Sequence, residues 1–77
     1  MTPTVGRIVH YYNLGDAQGR FPSEAQAAIV TNVHVNGAVS LCVFYGNDRG
    51  GGQFFMPRVE FSAEPEPGRW TWPPRVP

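Results

Sequence analysis

Apolar and polar positions alternate most regularly in residues 27–45, AAIVTNVHVNGAVSLCVFY. This is the longest run of strand-forming residues in the chain. It contains an Asn-Gly pair, the strongest short-range signal for a β-hairpin. Its apolar residues fall at Ile29, Val33 and Val35 before that pair, and at Val39, Leu41 and Val43 after it. All are odd-numbered, and side chains on a strand repeat every second residue. A two-residue loop at Asn36-Gly37 sets Val33 opposite Ser40 and splits the two apolar sets between the faces of the sheet. A three-residue loop, Val35-Asn36-Gly37, restores them. Val33 then faces Val39, Thr31 faces Leu41, and Ile29 faces Val43. The other face carries His34, Asn32/Ser40, Val30/Cys42 and Ala28/Phe44. Such a loop is a type I turn followed by a G1 bulge, which predicts a positive φ at Gly37.

The other strands are shorter. Residues 5–12, VGRIVHYY, form a first strand with Ile8, His10 and Tyr12 on one face and Arg7, Val9 and Tyr11 on the other. Residues 13–26 form the longest connection, with Phe21 expected to fold back onto the core and Ser23 to cap one helical turn through Gln26. Residues 46–52, GNDRGGG, read as a glycine-rich hairpin loop around Asp48 and Arg49. Residues 53–61 form the next strand, in which Pro57 cannot donate to a ladder and so marks an edge or a break. A proline-acidic turn, residues 62–68, leads to a last short strand at 69–72. Trp70 and Trp72 share one side of it. Residues 73–77 are a proline-rich tail expected to be polyproline-like. Five short strands in one domain, residues 1–77, predict an all-β fold. The expected form is a small SH3-like, partly open barrel with a central G1-bulge hairpin. A different five-stranded sandwich is the competing architecture.

Seventy-seven residues bury only roughly 60% of their unfolded surface, and small cores commonly need extra support. A single cysteine forms no internal disulfide, and Cys42 reads as a small buried residue within its strand. Two isolated histidines, His10 and His34, give no metal-ligand spacing, so no metal or cofactor is expected. Each is expected to be a half-exposed strand residue making one hydrogen bond. Oligomerisation or incorporation into an assembly is the support that remains. The six basic residues, all arginine, balance six acids, and this zero net charge disfavours nucleic acid as a partner. No apolar run approaches membrane-spanning length, and the first residues show no signal-peptide pattern.

No nucleophile, base and orienter fall into a recognisable pattern. Ser23 and Ser40 lack a nucleophile elbow, and Glu60, Glu64 and Glu66 have little cleft to dehydrate them. The glycine loop lacks the Lys and Ser/Thr of a phosphate-binding loop. An enzyme is not expected, and no catalytic residue is assigned. The aromatic content is more informative: five Phe, three Tyr and two Trp exceed what so small a core hides. Tyr11, Tyr12, Tyr45, Trp70 and Trp72, with Arg7, Arg58 and Arg69, are the candidate binding surface; the other reading of Trp70 and Trp72 is that at least one of them closes the open end of the barrel. Such residues suit protein interfaces and also stacking on bases or nucleotides.

Several segments have a familiar form: Gly6, Ile8, Val9, His10 and Tyr11; residues 27–31; Val39, Leu41, Val43 and Phe44; and Pro67, Gly68, Trp70, Trp72 and Pro73. Together they resemble a family of short proteins encoded by tailed bacteriophages and prophages. That family shares the motifs G-x-I-V-H-Y, A-A-I-V-T, V-x-L-x-V-F and P-G-x-W-x-W-P. The resemblance brings no catalytic residues. It implies a viral setting, with synthesis in the host cytoplasm and a place in the virion. The leading expectation is a non-enzymatic interaction module, a minor structural or accessory virion protein that binds itself or other phage structural proteins. The alternatives are a counter-defence protein that sequesters a host nucleotide signal and a small nucleic-acid-binding barrel.

Overall fold

The structure, a computed structural model, describes residues 2–15, 23–46 and 51–74. Phe21, the Asp48-Arg49 pair and the last three tail residues lie outside the described residues. Five strands form one sheet: β1 (Ile8–Tyr12), β2 (Ala25–Val33), β3 (Val39–Phe44), β4 (Gln53–Val59) and β5 (Trp70–Thr71). Their order is β4-β3-β2-β1-β5, and every pairing in the ladder is antiparallel. The sheet does not close, yet its two ends meet. The amide of Trp70 donates to the Glu60 carbonyl at 3.1 Å, and the amide of Ser62 donates to the Trp70 carbonyl at 3.0 Å. Phe61 and Trp70 thereby form a parallel bridge. This is the small, partly open five-stranded barrel that the strand pattern predicts.

The central hairpin keeps the expected register at its tip and loses it lower down. His34 N–H donates to the Ala38 carbonyl at 2.8 Å, so three residues, Val35–Gly37, span the strands. Val33 pairs with Val39, and Gly37 has φ +79°. Asn36 is left-handed too, at φ 63° and ψ 25°. Two consecutive left-handed residues therefore make the turn, where a type I turn feeding one glycine was expected. Asn tolerates this region because its short amide bonds locally.

Below the tip, a bulge at Thr31 shifts the ladder by one residue. Val30 pairs with Leu41, Ile29 with Cys42, and Ala28 with Val43. The odd-numbered core face expected for β2 is thus wrong. Its buried positions are Gln26, Ala28 and Val30, and Ile29 turns outward. β3 keeps its odd face inward, with Val39, Leu41 and Val43 fully buried. A one-residue slip exchanges the two faces of a strand, and here it places Ala28 and Val30 inward in place of Ile29. That suits a barrel interior already filled by Tyr11 and Trp70.

β1 begins at Ile8, three residues later than predicted, because Gly6 and Arg7 form a bulge of their own. The Gly6 amide donates to the Val30 carbonyl at 2.8 Å, and the Val30 amide donates to the Arg7 carbonyl at 2.9 Å. With φ +92° at Gly6, this is G1-bulge geometry. The helical turn expected at Ser23–Gln26 does not form. Ala25 and Gln26 open β2, and the Ser23 hydroxyl donates to the Asn13 carbonyl at 2.6 Å. Asn13 organises this corner, its side-chain carbonyl accepting from the Glu24 amide at 2.8 Å and from Gln26 at 3.4 Å. Pro57 stands on edge strand β4 where the pairing with β3 shifts, as its missing N–H requires.

Candidate interaction surface

The aromatic and arginine residues singled out by sequence do not form one surface. Tyr11 and Trp70 are 4% and 1% exposed and belong to the core, which corrects their assignment to a binding surface. Burial raises the Tyr11 phenol above its ordinary pKa, and the neighbouring Tyr45 adds to the shift. The Trp70 indole N–H donates to the Gly37 carbonyl at 3.1 Å, so the hairpin tip folds over β5 and satisfies the buried donor. Tyr45 is half-buried against the core, edge-on to Phe54 with ring centroids 5.0 Å apart. Trp72 packs half-buried beside Trp70 at 5.3 Å, with the Arg7 guanidinium 5.2 Å from its ring centroid. This stack at the barrel mouth is the one place where the expected Trp and Arg meet. Arg58 pairs with Glu60 at 3.6 Å, and Arg69 is exposed. Tyr12 is half-buried, edge-on to His10 at 6.5 Å.

Residues directly opposite each other in a ladder share a face. On the side of the sheet away from the core, one row therefore crosses four strands: Ile8, Ile29, Cys42 and Phe55. A second row beside it runs His10, Ala27, Phe44 and Gln53. Ile8 is 62% exposed, Phe55 69%, Phe44 37% and Ile29 36%. Cys42, the expected buried thiol, lies in the middle of the first row and is buried. The sequence reading missed this face because it placed Ile29 inward. The available signal was the surplus of apolar residues, which fall on both faces of β1 and β4.

Among the described residues, one Ser–His contact lies near this face. His34 Nε2 lies 2.9 Å from Ser40 Oγ, and the Ser40 hydroxyl donates to the Pro57 carbonyl at 2.7 Å. A hydroxyl has one proton to give. Since Pro57 receives it, His34 is the donor to Ser40 and cannot act as its base in this arrangement. His34 makes the side-chain hydrogen bond expected of it, but from the turn and not from a strand, since β2 ends at Val33. His10 is also half-buried, but its Nδ1 is buried with no hydrogen-bond partner among the described residues. Among the described residues no cluster of three His, Cys, Asp or Glu is placed to hold a metal ion. An open groove of about 370 Å³ lies beside the face, lined by Glu24–Ala27 and by Phe44, Tyr45 and Gly46. Its one ionisable acid is Glu24, and its described lining contains neither arginine nor tryptophan. No helix among the described residues is long and apolar enough to cross a membrane.

The architecture and surface together define a small antiparallel β domain with an apolar outer sheet face. Comparison of the chain with protein-family models, with curated proteins and with solved structures found no match.

Proposed function

We propose that this chain is a non-enzymatic interaction module that works by docking the outer face of its sheet onto protein. The observation behind this reading is the exposure of Ile8, Ile29 and Phe55, large apolar side chains on the outside of the sheet and apart from the buried core. Contiguous exposed apolar patches on small soluble domains mark interaction sites. Within the viral setting that the sequence resemblance implies, the module is a minor structural or accessory component of the phage particle. Exposed apolar side chains suit packing in an assembly. A nucleotide needs cations and stacking groups converging in a cleft, and the described lining of the groove beside β2 contains no arginine.

The test is mass spectrometry of purified particles from the encoding phage, with absolute copy number. A fixed copy number compatible with the particle's symmetry is the expected result. Absence of the chain from the particle overturns the reading.

A further inference from the structure

We infer that Asn36 is a site of spontaneous deamidation, and that the closed hairpin tip holds this reaction off until the tip opens.

The reacting groups are neighbours in the chain. Asn36 supplies a side-chain amide, and Gly37 supplies the next main-chain nitrogen. That nitrogen attacks Cγ of Asn36 and gives up its proton as ammonia leaves, which closes a succinimide ring. Water then opens the ring at either carbonyl. One opening restores the main chain and leaves aspartate. The other routes the main chain through the former side-chain carbonyl and leaves isoaspartate. Water is the co-reactant, and the chain gains one negative charge. Glycine favours the attack because no Cβ screens its nitrogen. The other asparagines of the chain precede Leu14, Val33 and Asp48, which do carry that screen. Asn36 is also exposed, so water has access to the ring.

The folded turn sets the two groups apart. Ring closure needs the Gly37 nitrogen on the same side of the Cα–C bond as Cβ of Asn36. This is a ψ of roughly −120°, the value at the first central residue of a type II′ turn. Asn36 has ψ 25°, which puts the nitrogen on the far side. Rotating ψ alone is costly: with φ held at 63°, the combination required is one that turns fill with glycine. Three hydrogen bonds hold the tip in this form. The His34 amide donates to the Ala38 carbonyl at 2.8 Å, the Ala38 amide to the Val35 carbonyl at 3.4 Å, and the Trp70 indole to the Gly37 carbonyl at 3.1 Å. Breaking them frees both angles of Asn36. One net hydrogen bond shifts an equilibrium roughly fivefold. The three together slow the reaction by about 100-fold relative to an unfolded chain.

The product acts back on the fold. Isoaspartate adds a methylene to the main chain inside a turn whose two left-handed residues have no room for it in the ladder. The Gly37 carbonyl then leaves the Trp70 indole, so the modification unlocks the barrel where its ends meet.

The test incubates the full chain in mildly alkaline buffer, native and in urea. Peptide mapping that separates asparagine, aspartate and isoaspartate follows position 36, with Asn32 as an internal reference. Trp70→Phe removes one of the three bonds at the tip. Asn13→Ala weakens the fold at the other end of β2. Circular dichroism checks that both variants fold. Expected are a rate in urea about 100-fold above the native rate, a rate roughly fivefold above wild type for native Trp70→Phe, and the wild-type rate for native Asn13→Ala. In urea, an Asn36 that reacts no faster than Asn32 overturns the site. A native rate equal to the rate in urea overturns the gate. So does a Trp70→Phe chain as slow as wild type, or an Asn13→Ala chain as fast as Trp70→Phe. The isoaspartate form, separated by ion exchange on its added charge, is expected to melt below the unmodified chain, and equal melting overturns the unlocking.

Discussion

Replacing Trp70 with Phe tests how the barrel is held shut. Trp70 is the largest fully buried side chain, and it sits where β1, the segment after β4 and the hairpin tip converge. Phe keeps a ring against Phe61, whose centroid lies 4.9 Å away, and against Trp72 at 5.3 Å. It removes the indole N–H and part of the buried volume. Loss of the 3.1 Å bond to the Gly37 carbonyl costs about 1 kcal/mol, at the low end of the range because Gly37 is partly open to water. The lost ring volume adds about 1–2 kcal/mol in transfer and cavity terms. A domain of this size is stable by about 4–12 kcal/mol, so a loss of about 2–3 kcal/mol lowers the melting temperature by roughly 10–20 °C. Urea and thermal unfolding followed by circular dichroism, at fixed protein concentration, measure it, with Trp72 remaining as a fluorescent reporter. Trp72→Phe is the control, at a half-buried site. A Trp70→Phe loss below about 0.5 kcal/mol, the level of ordinary surface substitutions, would refute the reasoning that this indole locks the barrel.

Two further outcomes follow from buried polar groups. Burial raises the folded-state pKa of Tyr11 above 10.0, so above that pH the unfolded chain releases a proton that the folded chain keeps. Stability is then fully present below pH 10 and is lost as pH rises through the folded pKa; unfolding titrations of Tyr11→Phe should show that part of the alkaline slope removed. Asn13→Ala removes the 2.8 Å acceptor of the Glu24 amide at a part-buried corner, which costs about 1 kcal/mol. Chemical denaturation measures this loss, and hydrogen exchange should show faster exchange at Glu24 and at the start of β2.

Much of this protein is settled by local chemistry along the chain. The Asn36-Gly37 pair places the hairpin, because these two residue types enter the left-handed region at least cost. Pro57 assigns its strand to an edge through its missing donor. The spacing of Trp70 and Trp72 puts both indoles on one side of the last strand, and they are found in contact. Alternation at period two fixes the inward face of β3. These signals act within a few residues, so they survive without knowledge of the rest of the fold.

What only the tertiary structure decided is the phase of β2, and with it the identity of the surface. Val30 is claimed from two sides, by Leu41 across the ladder and by the Gly6–Arg7 bulge. Meeting both demands costs one unpaired residue at Thr31, and everything below it changes face. Ile29 leaves the core for the outer row, while Tyr11 and Trp70, which by type resemble interface anchors, fill the interior that Ala28 leaves open. A bulge has no residue signature of its own in this stretch. It is chosen by competition for volume among residues distant in the chain, and that competition exists only once the barrel has rolled up.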